Sequence, residues 1–110
     1  MNYKTFDDLQ FRHWPAKKKL SHLPPEYQKA KQAILMFDNG YGVSVLIGKV
    51  FYSNGVDTYE LAVLCGDKLV YPVEICPDND VLGSITREEV TEAMKKVQDL
   101  KSTHANEQIY

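Results

Sequence analysis

The chain has 110 residues, of which 44% are hydrophobic and 25% are charged, and its formal net charge is −2. A chain of this length buries its apolar residues in one core, so we predict a single domain over residues 1–110. Acidic and basic residues are interspersed, which excludes the strongly basic surface typical of a duplex-binding protein. The N-terminus has no positively charged segment before an apolar core, and no run approaches the ~20 apolar residues of a membrane span. We therefore expect a cytoplasmic protein with no membrane partner.

The N-terminal segment, residues 1–32, predicts a short strand and a connection. The sequence TFDD at residues 5–8 is a weak capping pattern that can start one helical turn. Apolar and polar residues then alternate from Leu9 to Trp14, which predicts a short edge strand that Pro15 ends. Residues 17–32 contain Pro24-Pro25 and lack an apolar stripe, so we predict a surface connection there.

A basic and aromatic cluster spans the end of this strand and the residues after it, and it has two interpretations. The cluster consists of Arg12, His13 and Trp14 with Lys17, Lys18 and Lys19, and side chains of these types stack on a base and hold a phosphate in single-stranded nucleic-acid binding. The same residues also fit an amphipathic edge strand followed by solvated lysines, which block aggregation at a sheet edge. The second interpretation is the more common one, and the sequence leaves both open.

Residues 33–76 predict an antiparallel β-meander of four to five strands. Three dipeptides separate apolar runs: Asn39-Gly40, Asn54-Gly55 and Gly66-Asp67. Asn-Gly suits a type I′ turn and Gly-Asp a type II′ turn, because these turns need positive φ at one or both central residues.

Two-residue turns fix the register, and therefore the faces, of such a meander. We predict that Met36 pairs with Val43, Val45 with Leu64, and Leu64 with Leu69. A bulge at Gly48 is compatible with this pairing. One predicted face carries Ile34, Met36, Val43, Val45, Ile47, Ala62, Leu64, Leu69, Tyr71 and Val73. The other carries Ala33, Leu35, Phe37, Leu46, Leu61, Val63, Cys65 and Val70.

The segment 86–101 predicts an amphipathic helix. Thr86 as N-cap and Glu89 three residues later form a capping box, and Ile85 with Val90 supplies a hydrophobic staple. An apolar stripe follows at helical spacing: Val90, Ala93, Met94, Val97 and Leu100. Residues 102–110 lack periodicity and are predicted to be a flexible tail. The predicted fold class is α+β, with this C-terminal helix packed on one face of the meander.

This architecture leaves one apolar face without a partner. A single helix covers one face of a sheet, so the other face needs residues 17–32, the N-terminal strand or another subunit. A two-fold dimer is the simplest symmetric solution, and we predict a homodimer or higher oligomer.

The sequence predicts no metal or cofactor. Cys65 and Cys76 lack CxxC spacing, and the predicted register places them more than ~20 Å apart, too far for a disulfide. A four-ligand zinc site would need several of His13, His22 and His104 to converge from the two ends of the chain.

The loop at residues 77–84 resembles a calcium-binding loop in spacing alone. Asp78, Asp80, Gly83 and Glu89 fit that spacing, but Leu82 stands at a ligand position and the flanking helix pair is missing. We predict a plain turn.

No motif for catalysis is present, and we predict that the protein is not an enzyme. The chain has no GxSxG sequence, and Asp38 and Asp57 fit strand-end positions. Gly40 and Gly42 are interpreted as turn glycines, because their loop runs from strand to strand instead of from a strand into a helix.

Four segments together resemble a known family. They are FDNGYGVSV at residues 37–45, YELAVL at 59–64, DVLG at 80–83 and the helical segment 86–100. The combination resembles small accessory proteins encoded by tailed bacteriophages and prophages, in which FxNGYGxSV is followed by ELAVL and a DDVxG, LTxxxV segment leading into a helix. The lysine-rich segment before Gln32 and the pair Asn79-Asp80 depart from the family pattern. The resemblance assigns no catalytic residues; it implies a protein outside the virion that binds a host factor or a defence component in the host cytoplasm.

We therefore predict a non-enzymatic accessory protein that acts by binding, as an inhibitor of a host or anti-phage protein. One alternative is an oligomer that sequesters a nucleotide-type immune signal, with Tyr41, Phe51, Tyr52, Tyr59 or Tyr71 on the base and Arg12, Arg87 or a lysine on the phosphate. Another alternative is single-stranded nucleic-acid binding. The predicted contact residues are Arg12, Trp14, Lys17, Lys18, Lys19, Tyr41, Phe51 and Tyr52.

Overall fold

The predicted α+β fold, an antiparallel sheet with a C-terminal helix, is confirmed in a computed structural model. The structure describes residues 2–14, 25 and 29–101. Within them the strands are β1 (Arg12–His13), β2 (Lys31–Met36), β3 (Tyr41–Ile47), β4 (Tyr59–Cys65), β5 (Lys68–Val70) and β6 (Leu82–Ile85), and the helix α1 is Arg87–Gln98. A short 3-10 helix, Phe6–Asp8, precedes β1. The sheet order is β1-β2-β3-β4-β5, and β6 pairs with β4.

The turn between β2 and β3 is one residue longer than predicted. The Phe37 N–H donates to the Tyr41 carbonyl at 2.7 Å, and the Gly40 N–H donates to the Phe37 carbonyl at 3.2 Å. Gly40 has φ of 86°. These features define a three-residue loop, a type I turn closed by a glycine in the left-handed region.

The longer turn shifts the β2 register by one residue. Met36 pairs with Gly42, so the predicted pairing of Met36 with Val43 is wrong. A shift of one residue exchanges the two faces of a strand. Gly42 lies inside β3, so its interpretation as a turn glycine is also wrong.

The connection between β3 and β4 is a loop of residues 48–58 and not a tight hairpin. Val45 pairs with Leu61, and the predicted pairing of Val45 with Leu64 is wrong by three residues. Asn54-Gly55 does turn, with Gly55 at φ of 78°, but it lies within this loop. Gly48, at φ of 151°, follows the last residue of β3.

The third predicted turn is confirmed, and one strand was missed. Gly66-Asp67 joins β4 to β5, with Leu64 opposite Leu69 as predicted. Residues 82–85, mostly assigned to a loop, form β6 and pair with the other half of the same β4 edge.

These registers define an inner face of the sheet, toward α1, and an outer face. The register shifts of one and three residues turn the two faces of β2 and of β4 over relative to β3. The inner face therefore combines residues from both predicted faces. Buried inner-face residues are Ala33, Val43, Val45, Tyr59, Leu61 and Val63. Val90, Ala93, Met94 and Val97 of the predicted helical stripe pack against this core. The outer face carries Gln32, Ile34, Met36, Ser44, Leu46, Glu60, Ala62, Leu64 and Leu69.

The helix begins at the predicted capping box. The Glu89 N–H donates to Thr86 Oγ1 at 3.2 Å, and the Thr86 N–H donates to Glu89 Oε1 at 2.9 Å. These bonds satisfy donors that have no partner inside the helix. Within the described residues, no helix has the length and apolar character needed to cross a membrane.

The N-terminal segment packs along α1. The Lys4 N–H donates to Gln98 Oε1 at 2.9 Å, and Gln98 Nε2 donates back to the Lys4 carbonyl at 2.9 Å. The Phe6 N–H donates to Thr91 Oγ1 at 3.1 Å. The predicted edge strand is confirmed, although it is reduced to Arg12–His13. This segment therefore lies on the helix side of the sheet.

Candidate functional site

The 48–58 loop brings together part of the predicted contact set. Trp14 follows β1, and its N–H donates to the Ala30 carbonyl at 3.0 Å. Its ring meets Phe51 edge-on, with centroids 5.1 Å apart and planes at 85°. Tyr52 follows Phe51 in the loop, and Arg12 lies exposed in β1 two residues before Trp14. These side chains surround one end of the sheet.

The remaining predicted contact residues are placed elsewhere or are not described. Tyr41 begins β3, pairs with Cys65 and packs against the core. At about 3.3 Å per residue it is ~20 Å from the loop end of β3, so it does not join the others. Lys17, Lys18 and Lys19 lie outside the described residues. Nucleic-acid binding through Trp14 and these lysines stays a prediction.

Ser53 holds the base of the 48–58 loop closed. Its hydroxyl donates to the Thr58 carbonyl at 2.6 Å and accepts the Gly48 N–H at 3.2 Å and the Gly55 N–H at 3.0 Å. One side chain thus joins the start, the turn and the end of the loop. Serine favours this role because its short hydroxyl reaches nearby backbone groups.

Asn54 holds the tip of the same loop. Its Oδ1 accepts the N–H groups of Val56, Asp57 and Thr58 at 2.8, 3.0 and 3.0 Å. Its Nδ2 donates to Asp57 Oδ1 at 2.8 Å, and its own N–H donates to Thr58 Oγ1 at 2.8 Å. The loop backbone is therefore fixed by side chains of the loop itself.

Two apolar side chains project from this fixed backbone. Tyr52 is 64% exposed and Val56 is 75% exposed. The Tyr52 N–H donates to Glu60 Oε1 at 3.1 Å, and its carbonyl accepts the Ser84 N–H at 2.8 Å. Gly83 of β6 leaves room for Tyr52, because a Cβ at Gly83 would lie 2.7 Å from the Tyr52 Cβ. The position of Tyr52 is thus fixed from three directions while its ring stays accessible.

A cavity adjoins this loop and has a cationic rim. Its volume is about 400 Å³, and its described lining is Pro25, Lys29, Gly48, Lys49, Gly55 and Val56. Lys29 and Lys49 are exposed. Sequence reasoning missed both lysines: the assumed hairpin placed Lys49 inside a strand pair, and Lys29 lay in the predicted surface connection. Because β3 ends at Ile47, Lys49 lies outside the strand and the loop that follows is long.

A second cavity has an aromatic wall and lies where the N-terminal segment meets α1. Its volume is about 370 Å³, and its described lining is Phe6, Asp7, Leu9, Phe11, Lys31, Ile47, Tyr59 and Arg87. The Phe6 ring lies 5.0 Å from Tyr59 and 5.8 Å from Phe11. The Arg87 guanidinium lies over the Phe6 ring at 4.8 Å. Tyr59 and Arg87 belong to the predicted nucleotide set, whereas sequence reasoning missed Phe6, Phe11 and Lys31.

Two groups in the described residues have a raised pKa. Burial, and then the nearby Asp80 charge, raise the pKa of the Cys76 thiol. A hydrogen bond from the Tyr3 hydroxyl to Asp99 Oδ1, 2.6 Å long, is the main cause of the raised pKa of Tyr3. Both groups are therefore protonated at neutral pH, and a protonated thiol is a weak nucleophile. Cys76 and Cys65 are free thiols.

Among the residues that the structure describes, no group of three or more His, Cys, Asp and Glu side chains is placed to hold a metal ion. Asp80, in the segment with calcium-like spacing, accepts the Val81 N–H at 2.7 Å through Oδ1. Asn79 next to it has φ of 57°, a conformation that Asn and Asp adopt in turns.

Comparisons with known proteins add no assignment. No family model, no curated protein and no solved structure matches this chain.

Proposed function

We propose that this chain is a phage-type accessory protein that acts by binding a host or defence protein, and that the 48–58 loop is its contact surface. One observation carries the proposal: two exposed apolar side chains, Tyr52 and Val56, stand on a loop whose backbone Ser53 and Asn54 fix. A loop that is already ordered loses little conformational entropy on binding.

The composition of this surface suits a protein partner. Tyrosine and tryptophan are enriched among the residues that dominate binding energy, because they bury a large area and keep a polar group. Lys29 and Lys49 line the cavity beside Val56, and the carboxylates of Asp57 and Glu60 bond the loop beside Asn54 and Tyr52. A complementary partner therefore presents an apolar pocket with charged groups of both signs around it.

The test is capture from a phage-infected bacterial lysate, followed by identification of the captured protein and direct binding to it in purified form. Val56→Ser is expected to weaken binding at least ~10-fold, because it removes an apolar contact from a central position. Val73→Ser is the matched control, since Val73 is also an exposed valine, 71% against 75% for Val56, but lies outside the loop. An equal loss of affinity in Val56→Ser and Val73→Ser, or no loss of affinity in either, would contradict the proposed surface.

The aromatic cavity favours a second candidate function, sequestration of a nucleotide-type signal. Its volume of about 370 Å³ falls within the roughly 300–1,000 Å³ of small-molecule sites. Phe6 and Phe11 offer ring surface to a base. Arg87 and Lys31 offer two cations to a phosphate, and Asp7 is the acidic group in the lining.

A thermal-shift titration with a cyclic dinucleotide and with ADP-ribose tests this second candidate. A ligand at 100 times its Kd adds about 2.7 kcal/mol to the free energy of unfolding, which raises Tm by roughly 10 °C or more in a domain of this size. Arg87→Gln should abolish the shift, whereas Lys95→Gln, which removes an equal charge from α1, should preserve it. If neither ligand raises Tm, or if Tm rises equally in Arg87→Gln and Lys95→Gln, this cavity is excluded as the site.

A further inference from the structure

The β2 edge of the sheet is only partly covered. β1 pairs with the first two residues of β2, and the Trp14 N–H donates to the Ala30 carbonyl just before β2. Along an antiparallel strand, the N–H and carbonyl groups of alternate residues point to the same side. Those of Ile34 and Met36 therefore point, as the Ala30 carbonyl does, away from β3. Among the residues that the structure describes, none pairs with Ile34 or Met36 on that side.

The uncovered part of β2, residues 33–36, is suited to pairing with another strand. It contains neither the lysine nor the proline that commonly prevents pairing at an exposed sheet edge. Ile34 is 58% exposed and Met36 is 43% exposed, and both side chains lie on the outer face. An extended peptide that pairs with this edge gains main-chain hydrogen bonds, and its alternate side chains contact Ile34 and Met36.

A cavity lies where β1 stops covering β2, and we call it the Arg12 cavity. Its volume is about 280 Å³, and its described lining is Gln10, Arg12, His13, Gln32 and Ile34. None of these side chains is acidic, and Arg12 forms no ion pair with any residue that the structure describes. The cavity therefore offers a guanidinium, which binds a carboxylate through charge-assisted hydrogen bonds, next to the uncovered part of β2.

We propose that the β2 edge binds the extended C-terminal segment of another protein, antiparallel to β2, with its terminal carboxylate in the Arg12 cavity. An antiparallel strand runs in the direction of β1, so its C-terminus points toward Arg12. Its terminal residue lies opposite Ile34, and the residue two places earlier lies opposite Met36, so each exchanges two main-chain hydrogen bonds with β2. The inference goes beyond the proposed function, because it concerns a surface outside the 48–58 loop.

The shape of this edge selects a chain end as the occupant. β1 closes the edge at Gln32, so a strand added opposite Ile34 has to end or turn there. The positive charge of Arg12 favours a terminal carboxylate over the amino group that a parallel strand would bring to the same place. A second copy of β2 continues past Met36 into its β2–β3 turn, so it brings no chain end to the cavity.

Binding of C-terminal peptides to the full chain tests the proposal. A library of random peptides with free C-termini supplies the probe, and the tightest binder is then synthesised with a carboxylate or an amide at its end. The amide should raise Kd at least ~10-fold, and Arg12→Gln should do the same for the carboxylate peptide, because each removes a charge-assisted hydrogen bond. In Arg12→Gln the two peptides should differ less than ~3-fold, since their difference depends on Arg12. Lys68→Gln, which removes an equal charge from an exposed position in β5, is the control and should bind as the wild type does.

Met36→Pro tests the strand pairing itself. It removes an N–H that points away from β3, a position where proline is tolerated in edge strands. We expect Kd to rise at least ~10-fold, because a peptide carbonyl loses its donor. An N-methyl group on the peptide residue opposite Met36 makes the same test on the wild-type chain, and an N-methyl group on the next residue, whose N–H points away from β2, is its control. Thermal unfolding checks that the variants fold.

Three results would overturn the proposal. The first is a library that yields no binder, or a binder whose amide form binds equally well. The second is unchanged affinity for the peptide N-methylated opposite Met36. The third is slow hydrogen exchange of the Ile34 and Met36 amides in the protein without peptide, because the edge would then already be covered by the chain itself or by a second copy.

Discussion

Asn39 joins the β2–β3 turn to the end of α1. Its Nδ2 donates to the carbonyls of Val97 at 2.9 Å and Leu100 at 3.0 Å, with the Gln98 carbonyl at 3.3 Å. Its Oδ1 accepts the Tyr41 N–H at 3.1 Å. The Val97 carbonyl also accepts the Leu100 N–H at 3.2 Å, so Asn39 is an additional donor there, and it bonds the Gln98 and Leu100 carbonyls at the helix end. The sequence identified Asn39 as a turn residue, but its contact with a helix 58 residues away has no local signal.

Substitution of Asn39 should therefore cost stability. We expect Asn39→Ala to lower the free energy of unfolding by about 1–3 kcal/mol, because it removes the side-chain donor that bonds part-buried carbonyls at the helix end. Asn39→Asp should lower it further, because it sets a carboxylate against those carbonyls at the negative end of the helix dipole. Urea unfolding of the purified variants measures both values.

Asn79→Asp is the control for Asn39→Asp, because Asn79 is exposed in a turn and aspartate tolerates the same positive φ. It should change the free energy of unfolding by no more than ~0.5 kcal/mol. If Asn39→Asp is as stable as Asn39→Ala, the helix-end contact is not an important part of the fold.

At the scale of strands, the sequence predicted the elements better than their registers. The Gly66-Asp67 turn gave the correct pairing, because a two-residue loop leaves no freedom in register. The Asn39-Gly40 turn did not give the correct pairing. An Asn-Gly pair fits a two-residue loop, but it also fits a three-residue loop that ends on a glycine in the left-handed region, and the second is what forms. The sequence cannot distinguish these turns locally. The third pairing failed because Asn54-Gly55 closes a turn within the 48–58 loop instead of joining β3 to β4.

The hydrogen bonds from three loop N–H groups to Asn54 Oδ1 should keep the 48–58 loop ordered in the free protein. The amides of Val56, Asp57 and Thr58 should then exchange with solvent at least ~10-fold more slowly than in an unstructured chain. Asn54→Ala should remove this protection and lower the free energy of unfolding by about 1 kcal/mol. Hydrogen exchange followed by NMR measures the protection of each amide.

Asp67→Ala, in the β4–β5 turn, is the control for Asn54→Ala and should leave those amides protected. Unprotected amides in the wild type would show that Tyr52 and Val56 stand on a mobile loop, and the entropic argument for a binding surface would fail.

At the scale of the whole molecule, the sheet separates three surfaces. The inner face is filled by α1 and the N-terminal segment, the outer face keeps Ile34, Met36 and Leu69 exposed, and the 48–58 loop closes one end. The sequence predicted that both faces are apolar, and this does not depend on register, since residues of both parities are apolar in each run. It also named Trp14, Phe51 and Tyr52 as contact residues, because aromatic side chains can be recognised without knowing the register. Lys49 beside them was missed, because its position depends on where β3 ends.

The affinity of the purified protein partner for Tyr52→Ser tests the central claim most directly. Tyr52 carries the largest exposed side chain of the fixed loop, so we expect its loss to raise Kd at least ~10-fold while the free energy of unfolding changes by less than ~0.5 kcal/mol. Val73→Ser, measured in the same titration, should bind as the wild type does. Equal affinities for wild type and Tyr52→Ser would contradict the claim that the 48–58 loop is the contact surface.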